Sequence, residues 1–357
     1  MSHFPYILPR IELRGEPFEI GKQFGQLARE RVLLHLLNQK VLMASLRPQD
    51  PEWWRARVRD YLPPYEEMAP YFVEEMEGLA RGADITFDEA LLINVRDELL
   101  ASLKAAPIEQ CTSFGCSGTV TLSGQPILGQ TKDTAAISKD LYVVTAMYQK
   151  GRPDLLQLAY AGEFGVFGLS SSGMATFGNS LYVEGQGQGR IPVSLARRLT
   201  LKADNIDDVL ALVEKHGKMT PGNALVGDRT GRVVCIETTD HGSGMVEARN
   251  GILAHANHIV TPGLQRYETY AEPERSASVR RQTRLTDQLE AERGRLTPVL
   301  AMRALVDHTN YPYSICRHQS SPGDICTTAA IVVEPTLGAL HVVRGQPCQG
   351  WPVTYTL

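Results

Sequence analysis

Four stretches in the later two-thirds of the chain hold the residue types that could break an acyl bond. In Glu109-Gln110-Cys111-Thr112-Ser113-Phe114 a cysteine follows soon after Pro107 and opens a run with strand character. An isolated cysteine there is most simply a small buried hydrophobe. To act as a nucleophile it needs a base. One source is a histidine brought over by folding, as in papain-like enzymes, with His255, His258 and His318 as candidates. The other is the cysteine itself. If the Gln110–Cys111 bond is cut, Cys111 gains a free α-amine whose ordinary pKa of about 7.7–8.0 lies near working pH.

The second stretch, Gly129-Gln130-Thr131-Lys132-Asp133, closes what reads as a hairpin through Ser123-Gly124 and would return Asp133 towards Cys111. Without that return, Asp133 is an ordinary solvated carboxylate. In the third, Ala254-His255-Ala256-Asn257-His258, two histidines three apart on a strand point to opposite faces. No further residue stands at zinc-like spacing from them, so no metal is expected. Asn257 offers an amide N–H suited to an oxyanion. The fourth, Asn310-Tyr311-Pro312-Tyr313-Ser314-Ile315-Cys316-Arg317, ends on an arginine that is either a surface residue or a two-point clamp on a carboxylate.

Together these stretches resemble the acyl-coenzyme A:6-aminopenicillanic acid acyltransferase family, a branch of the N-terminal-nucleophile hydrolases. The resemblance runs from about residue 15 to the C-terminus. It is carried by Cys-Thr-Ser-Phe at 111–114, Leu-Gly-Gln-x-x-Asp at 128–133, Gly-x-x-Ser-x-Gly-Met at 168–174, His-Ala-Asn-His at 255–258 and the 310–317 stretch. It implies an αββα fold and a precursor that cuts itself between Gln110 and Cys111, leaving two associated chains, 1–110 and 111–357. It also implies roles. Cys111 is nucleophile and, through its amine, base; Asp133 assists processing and orders the site. Asn257 contributes to the oxyanion hole, Arg317 holds Asp133 or a nearby carboxylate, and Asn179 in FGNSLY supplies a polar group to the pocket. Two positions depart from the family's namesake: Gln110 stands for a Gly, and Lys132 for a Trp beside the Asp. Lys132 alters charge and size next to the substrate, so penicillin is not assumed.

The elements that must position these residues fall into two regions. Residues 17 to about 105 carry apolar residues at helical spacing, with Thr86-Phe87-Asp88-Glu89 as a capping box and Gly82 suited to ending the preceding helix. Trp53 and Trp54 read as packing. From Cys111 onward, short strand-like runs are separated by Gly, Ser, Asn or Pro. Two helical regions interrupt them, from Pro192 to His216 and from Ser276 to about Val306, the second breaking near Gly294 and restarting with Pro298. This grammar predicts an α+β layered sandwich with mainly antiparallel strands. The Gly185 to Arg190 run reads as a loop, not a phosphate cradle.

A chain of 357 residues, 43% hydrophobic and 21% charged, can bury a large core. Its net charge of -4 gives no electrostatic reason to expect nucleic acid or an anionic membrane as partner. Six cysteines are too sparse for a disulfide framework. The N-terminus lacks a signal-peptide pattern and no stretch reaches about 18 consecutive apolar residues, which predicts a cytoplasmic location. The expected activity is that of a self-processing cysteine amidohydrolase or acyltransferase. It would act on a small N-acyl or thioester substrate through an acyl-cysteine, with no cofactor, and its own cleaved N-terminal chain as partner. An oligomer is compatible with this. The alternatives are a thiol hydrolase with a histidine base and a non-catalytic small-molecule binding protein that keeps the fold.

Overall fold

The computed structural model describes residues 7–103, 110–184, 190–218, 220–321 and 323–357. Pro107, read as the boundary between the two regions, and most of the 185–190 loop lie outside them. The first element is a strand, β1 (Arg10–Gly15), in which Ile11 and Leu13 are buried while Arg10, Glu12 and Arg14 face water. The segment before the expected cut is therefore not wholly helical. Helices α1 (Pro17–Leu27), α2 (Arg29–Leu46), α3 (Pro63–Met68), α4 (Pro70–Ala83), α5 (Phe87–Asn94) and α6 (Arg96–Ser102) follow. Thr86 caps α5 through the expected box: its hydroxyl accepts the Glu89 N–H while the Glu89 carboxylate accepts the Thr86 N–H. Gly82 does not end α4. That cap falls to Asp84, in a left-handed conformation at φ 59°. The glycines of α1 and α4 instead form a seam between the two helices. A Cβ on Gly21 would sit 1.9 Å from the Glu75 carbonyl oxygen, and one on Gly78 2.0 Å from that of Phe18. Trp53 and Trp54 are buried, as expected of packing residues.

From residue 110 strands dominate: β2 (Gln110–Cys116), β3 (Ile127–Thr134), β4 (Tyr142–Gln149), β5 (Leu155–Tyr160), β6 (Phe167–Ser170) and β7 (Ala175–Phe177). The first interrupting helical region is two helices, α7 (Val193–Lys202) and α8 (Ile206–His216). Asn205 separates them, because its side chain accepts the Asp208 N–H and caps α8. Then come β8 (Gly222–Gly227), β9 (Val233–Thr239), β10 (Gly242–Glu247) and β11 (Ile252–His255). Helices α9 (Glu274–Ala291) and α10 (Pro298–Ala304) restart across Gly294 as read from the sequence, with Thr297 capping the second. Strands β12 (Cys326–Glu334), β13 (Ala339–Arg344) and β14 (Val353–Thr356) complete the described elements.

The strands form two sheets, in the orders β1-β4-β5-β6-β7-β8-β9-β10 and β11-β2-β3-β12-β13-β14. All pair antiparallel except β1 with β4, which is parallel. Alternation along β4 explains the layering. Val144 and Ala146 face inward, where they join Leu128, Leu253 and Ile331 of the smaller sheet. Val143 and Met147 face outward onto Phe24, Trp54, Phe72 and Leu195 of the covering helices. On the far side, Leu285, Leu289 and Met302 of α9 and α10 cover Phe114 and Val332 of the smaller sheet. The result is the expected αββα sandwich. Residues on both sides of position 110 share its core, and a fully buried ion pair, Arg198 Nη2 to Glu75 Oε1 at 2.5 Å, joins α7 to α4. No helix of the described residues is long and apolar enough to cross a membrane.

Candidate active site

Four adjacent strands, β11-β2-β3-β12, bring the residues of interest to one end of the smaller sheet. Because the pairing is antiparallel, the C-terminal ends of β11 and β3 lie beside the N-terminal ends of β2 and β12. The hairpin read from the sequence is present, with Gln110 opposite Asp133 and Cys111 opposite Lys132. Residues directly opposite share a face, and neighbours along a strand do not. Cys111 and Lys132 therefore face the space between the sheets. Gln110, Thr112 and Asp133 face α9. Asp133 returns to the cysteine's neighbour, but behind the sheet from the thiol.

Cys111 is 1% exposed and held on both sides of its own residue. Its backbone N–H donates to Asn257 Oδ1 at 3.1 Å. Its carbonyl oxygen accepts from Arg281 Nη1 at 2.7 Å. Arg281 also donates to Thr112 Oγ1 at 2.6 Å and, through Nη2, to Asn257 Oδ1 at 3.0 Å. Two donors converging on one amide atom identify it as the oxygen. Asn257 thus turns its carbonyl, not its N–H, towards Cys111, while Nδ2 donates to Ser180 O at 3.0 Å. That bond takes one of the two hydrogens on Nδ2.

Arg281 is absent from the sequence expectations because it lies in a helix crowded with arginines. Its position is nonetheless informative: Ala277, Arg281, Leu285 and Leu289 fall four apart on one face of α9, and all are buried. A charge in an apolar stripe needs partners, and here they are the cysteine backbone, Thr112 and Asn257.

Asp133 is fully buried, and burial pushes its carboxyl up to about 6 against the opposing pull of the Arg281 charge, the Thr327 hydrogen bond and the charges of Arg317 and Lys132. Thr327 Oγ1 donates to Asp133 Oδ1 at 2.7 Å and accepts the Arg317 backbone N–H at 2.8 Å. Among the described residues the Arg317 guanidinium pairs with no carboxylate. It donates to the side-chain oxygen of Gln110, and its tie to Asp133 runs through Thr327. The Gln110 side chain supplies that acceptor.

On the other face, Cys111 opens onto a cavity of ≈ 620 Å³ walled by both sheets and by α2, α6, α7 and α8. Asn179 lines it, donating from Nδ2 to Ser113 Oγ at 3.1 Å and to Ala256 O at 2.9 Å. Lys132 is buried with its Nζ 4.9 Å from the centre of the Phe167 ring, a lining residue. Arg197 and Lys218 add positive charge to the wall. Burial, followed by the Arg197 charge, pushes the Lys218 ammonium down to about 8.

The histidine bases weighed for Cys111 are engaged elsewhere. His255 Nε2 bonds Glu237 Oε1 at 2.8 Å, and its Nδ1 faces Asn223 and the Ala256 carbonyl. His258 lies past the end of β11, so the two rings are not on opposite faces: they stack with centres 6.1 Å apart. His258 Nδ1 bonds Ser278 Oγ at 2.8 Å, and burial, then the charges of His255, Arg275 and Arg281, pushes its pKa down to about 3. His318 belongs to a separate cluster with His308, Cys316 and Cys348.

The acyl-coenzyme A:6-aminopenicillanic acid acyl-transferase family matches residues 120–349. The acyl-coenzyme A:6-aminopenicillanic-acid-acyltransferase 40 kDa form of Emericella nidulans is 24% identical over 340 residues, covering 94% of this chain and 92% of that one. The beta-alanyl-dopamine/carcinine hydrolase of Drosophila melanogaster is 25% identical over 225 residues, 59% of this chain and 58% of that one. Among solved structures, a mutant of conjugated bile acid hydrolase from Clostridium perfringens overlays with a TM-score of 0.43 at 10% identity, covering 69% of this chain and 97% of that chain. Penicillin V acylase from Agrobacterium tumefaciens gives 0.43 at 11%, covering 66% and 83%. Those two overlays are too slight to carry an argument. The family match spans more than half of the sequence, and the chain belongs to the acyl-coenzyme A:6-aminopenicillanic acid acyl-transferase family.

Proposed function

We propose that the chain cuts itself at the Gln110–Cys111 bond and that Cys111 then acts as an N-terminal nucleophile on an amide or thioester acyl group. The observation that carries this reading is the double hold on Cys111, its N–H on Asn257 and its carbonyl on Arg281, at the wall of the cavity. In the first phase Sγ attacks the Gln110 carbonyl carbon and the bond to the Cys111 nitrogen breaks. The nitrogen takes up a proton and becomes an amine, and Gln110 is left as a thioester on Sγ. Water hydrolyses that thioester to a Gln110 carboxylate and a free thiol. Arg317 steadies Gln110 on the acyl side, and Asp133 orders the same face through Thr327.

In the second phase the new amine donates one N–H to Asn257 Oδ1, which leaves its lone pair for the thiol proton. Asn257 is thus assigned to orienting the amine. The acyl-cysteine formed on substrate is resolved by water or by an amine. The curated relatives are named for acyl transfer and for hydrolysis of a β-alanyl compound, and both outcomes fit this intermediate. The cavity adds a preference. Among the described residues Lys218 Nζ has no hydrogen-bonding or ion-pair partner, and with Arg197 it suits a substrate carrying negative charge away from the reacting bond.

The test is denaturing electrophoresis of freshly purified protein with N-terminal sequencing. Fragments 1–110 and 111–357 are expected, the second beginning Cys-Thr-Ser, and Cys111→Ala should remain intact. A wild-type chain that stays whole for days while fully active would end the proposal.

A further inference from the structure

Away from Cys111, the segment between α10 and β12 and the turn between β13 and β14 bring four ligand-type side chains together. One atom each from His308, Cys316, His318 and Cys348 lies within 4.8 Å of the others. Four of the six separations are defined. His308 Nε2 is 3.1 Å from His318 Nε2, and Cys316 Sγ is 3.5 Å from Cys348 Sγ. His318 Nε2 is 3.8 Å from Cys316 Sγ and 3.2 Å from Cys348 Sγ.

These four separations match edges of a tetrahedron of the right size, and the other two lie within 4.8 Å. Zinc bonds of about 2.3 Å to sulfur and about 2.05 Å to nitrogen, at tetrahedral angles, give edges of roughly 3.8 Å for S–S, 3.3 Å for N–N and 3.6 Å for N–S. All four separations agree with those values to within about 0.4 Å. Hydrogen bonding alone does not account for the convergence. One imidazole nitrogen carries either one proton or one lone pair, yet His318 Nε2 faces three neighbours. A cation at the centre would satisfy all four ligands at once.

We propose that His308, Cys316, His318 and Cys348 form a closed Cys2His2 site for a zinc ion. Two thiolates balance the charge of Zn²⁺, and with four protein ligands no position is left for substrate, so the site is structural. The sequence gives little sign of it, because the fourth ligand, Cys348, comes from a turn 30 residues beyond His318. Its place gives it a use. Two of the ligands flank Arg317, whose backbone reaches Thr327 and whose side chain reaches Gln110. The ion would pin that segment to the β13–β14 turn and hold Arg317 in position. Metal binding itself does not depend on the proposed self-cleavage, so it is measured in the uncut Cys111→Ala chain as well as in the wild type.

The experiment is elemental analysis of protein purified without chelators, followed by removal of metal and titration with Co²⁺. About one zinc per chain is expected, together with the visible bands of tetrahedral cobalt and a thiolate-to-cobalt charge-transfer band. Cys348→Ser, at an exposed position, and His308→Gln should lose the charge-transfer intensity in part and the stoichiometric zinc, with circular dichroism retained. In unmutated protein, zinc should slow the reaction of two thiols with a disulfide reagent. The proposal is overturned if metal-free protein binds neither ion, if both variants give the wild-type cobalt spectrum, or if mass analysis shows Cys316 and Cys348 joined as a disulfide in freshly isolated protein.

Discussion

Arg281→Lys tests the central geometry most sharply. The guanidinium makes three hydrogen bonds at 2.6, 2.7 and 3.0 Å from a site only 2% exposed. Lysine keeps the charge but offers a single ammonium in place of a planar fork, so at most one of the bonds to Cys111 O and Asn257 Oδ1 survives with good geometry. A hydrogen bond involving a charged group contributes about 1.5–3 kcal/mol. Losing one from the alignment of Cys111 should slow cleavage by about 10- to 100-fold, at about 1.4 kcal/mol per decade. Newly translated precursor followed over time by denaturing electrophoresis gives the rate, and thermal melting reports whether the fold is intact. Thr112→Val is the control. It removes only the 2.6 Å bond and leaves the two that orient the cysteine, so its rate should stay within a few-fold of wild type. Wild-type kinetics in Arg281→Lys, or equal slowing in both variants, would refute the idea that Arg281 positions the nucleophile.

Three further outcomes are expected. Because burial raises the folded Asp133 pKa to about 6, above its ordinary value, its contribution is fully present below about pH 4 and lost as pH rises through 6. The melting temperature of Asp133→Asn relative to wild type should therefore climb between pH 4 and 7, by the equivalent of about 2 kcal/mol, and a pH-independent difference would contradict the burial argument. Gly21→Ala should destabilise the protein by about 3 kcal/mol in urea titration, since its Cβ meets the backbone oxygen of Glu75 rather than a side chain that could swing away. Lys218→Met should raise KM about tenfold or more for acyl substrates bearing a remote carboxylate and leave neutral ones unchanged, with the contrast shrinking above pH 8 as the wild-type ammonium deprotonates.

What was legible in the sequence was mostly local. The Thr86 box, the restart at Pro298 and the hairpin that pairs Gln110 with Asp133 each rest on residues close together in the chain, and each is present. Asn205 was just as local a signal but stood inside a long helical pattern and was read through. Strand β1 is a short alternating run whose partner, β4, comes more than a hundred residues later, so only the tertiary pairing makes it a strand. Side-chain roles were the hardest to read. Arg317 and Asn257 do approach the expected region, but which atom faces Cys111 depends on Arg281 and Ser180, contributed by other elements. That choice is a property of the assembled network, not of any motif.

The parallel pairing of β1 with β4 and the Arg198–Glu75 pair span the proposed cut, and they change what stability would mean after it. An intact chain that unfolds can refold alone, at a rate independent of concentration. Once residues 1–110 are a separate polypeptide, they still supply an edge strand and part of one covering layer of the larger sheet. Rebuilding the molecule from its unfolded parts then requires two chains to meet. Cleavage would leave every contact in place, yet it would make recovery second order and the midpoint of unfolding dependent on protein concentration. The mature molecule would persist by the slowness of its opening, and each full opening in dilute solution would be in practice its last.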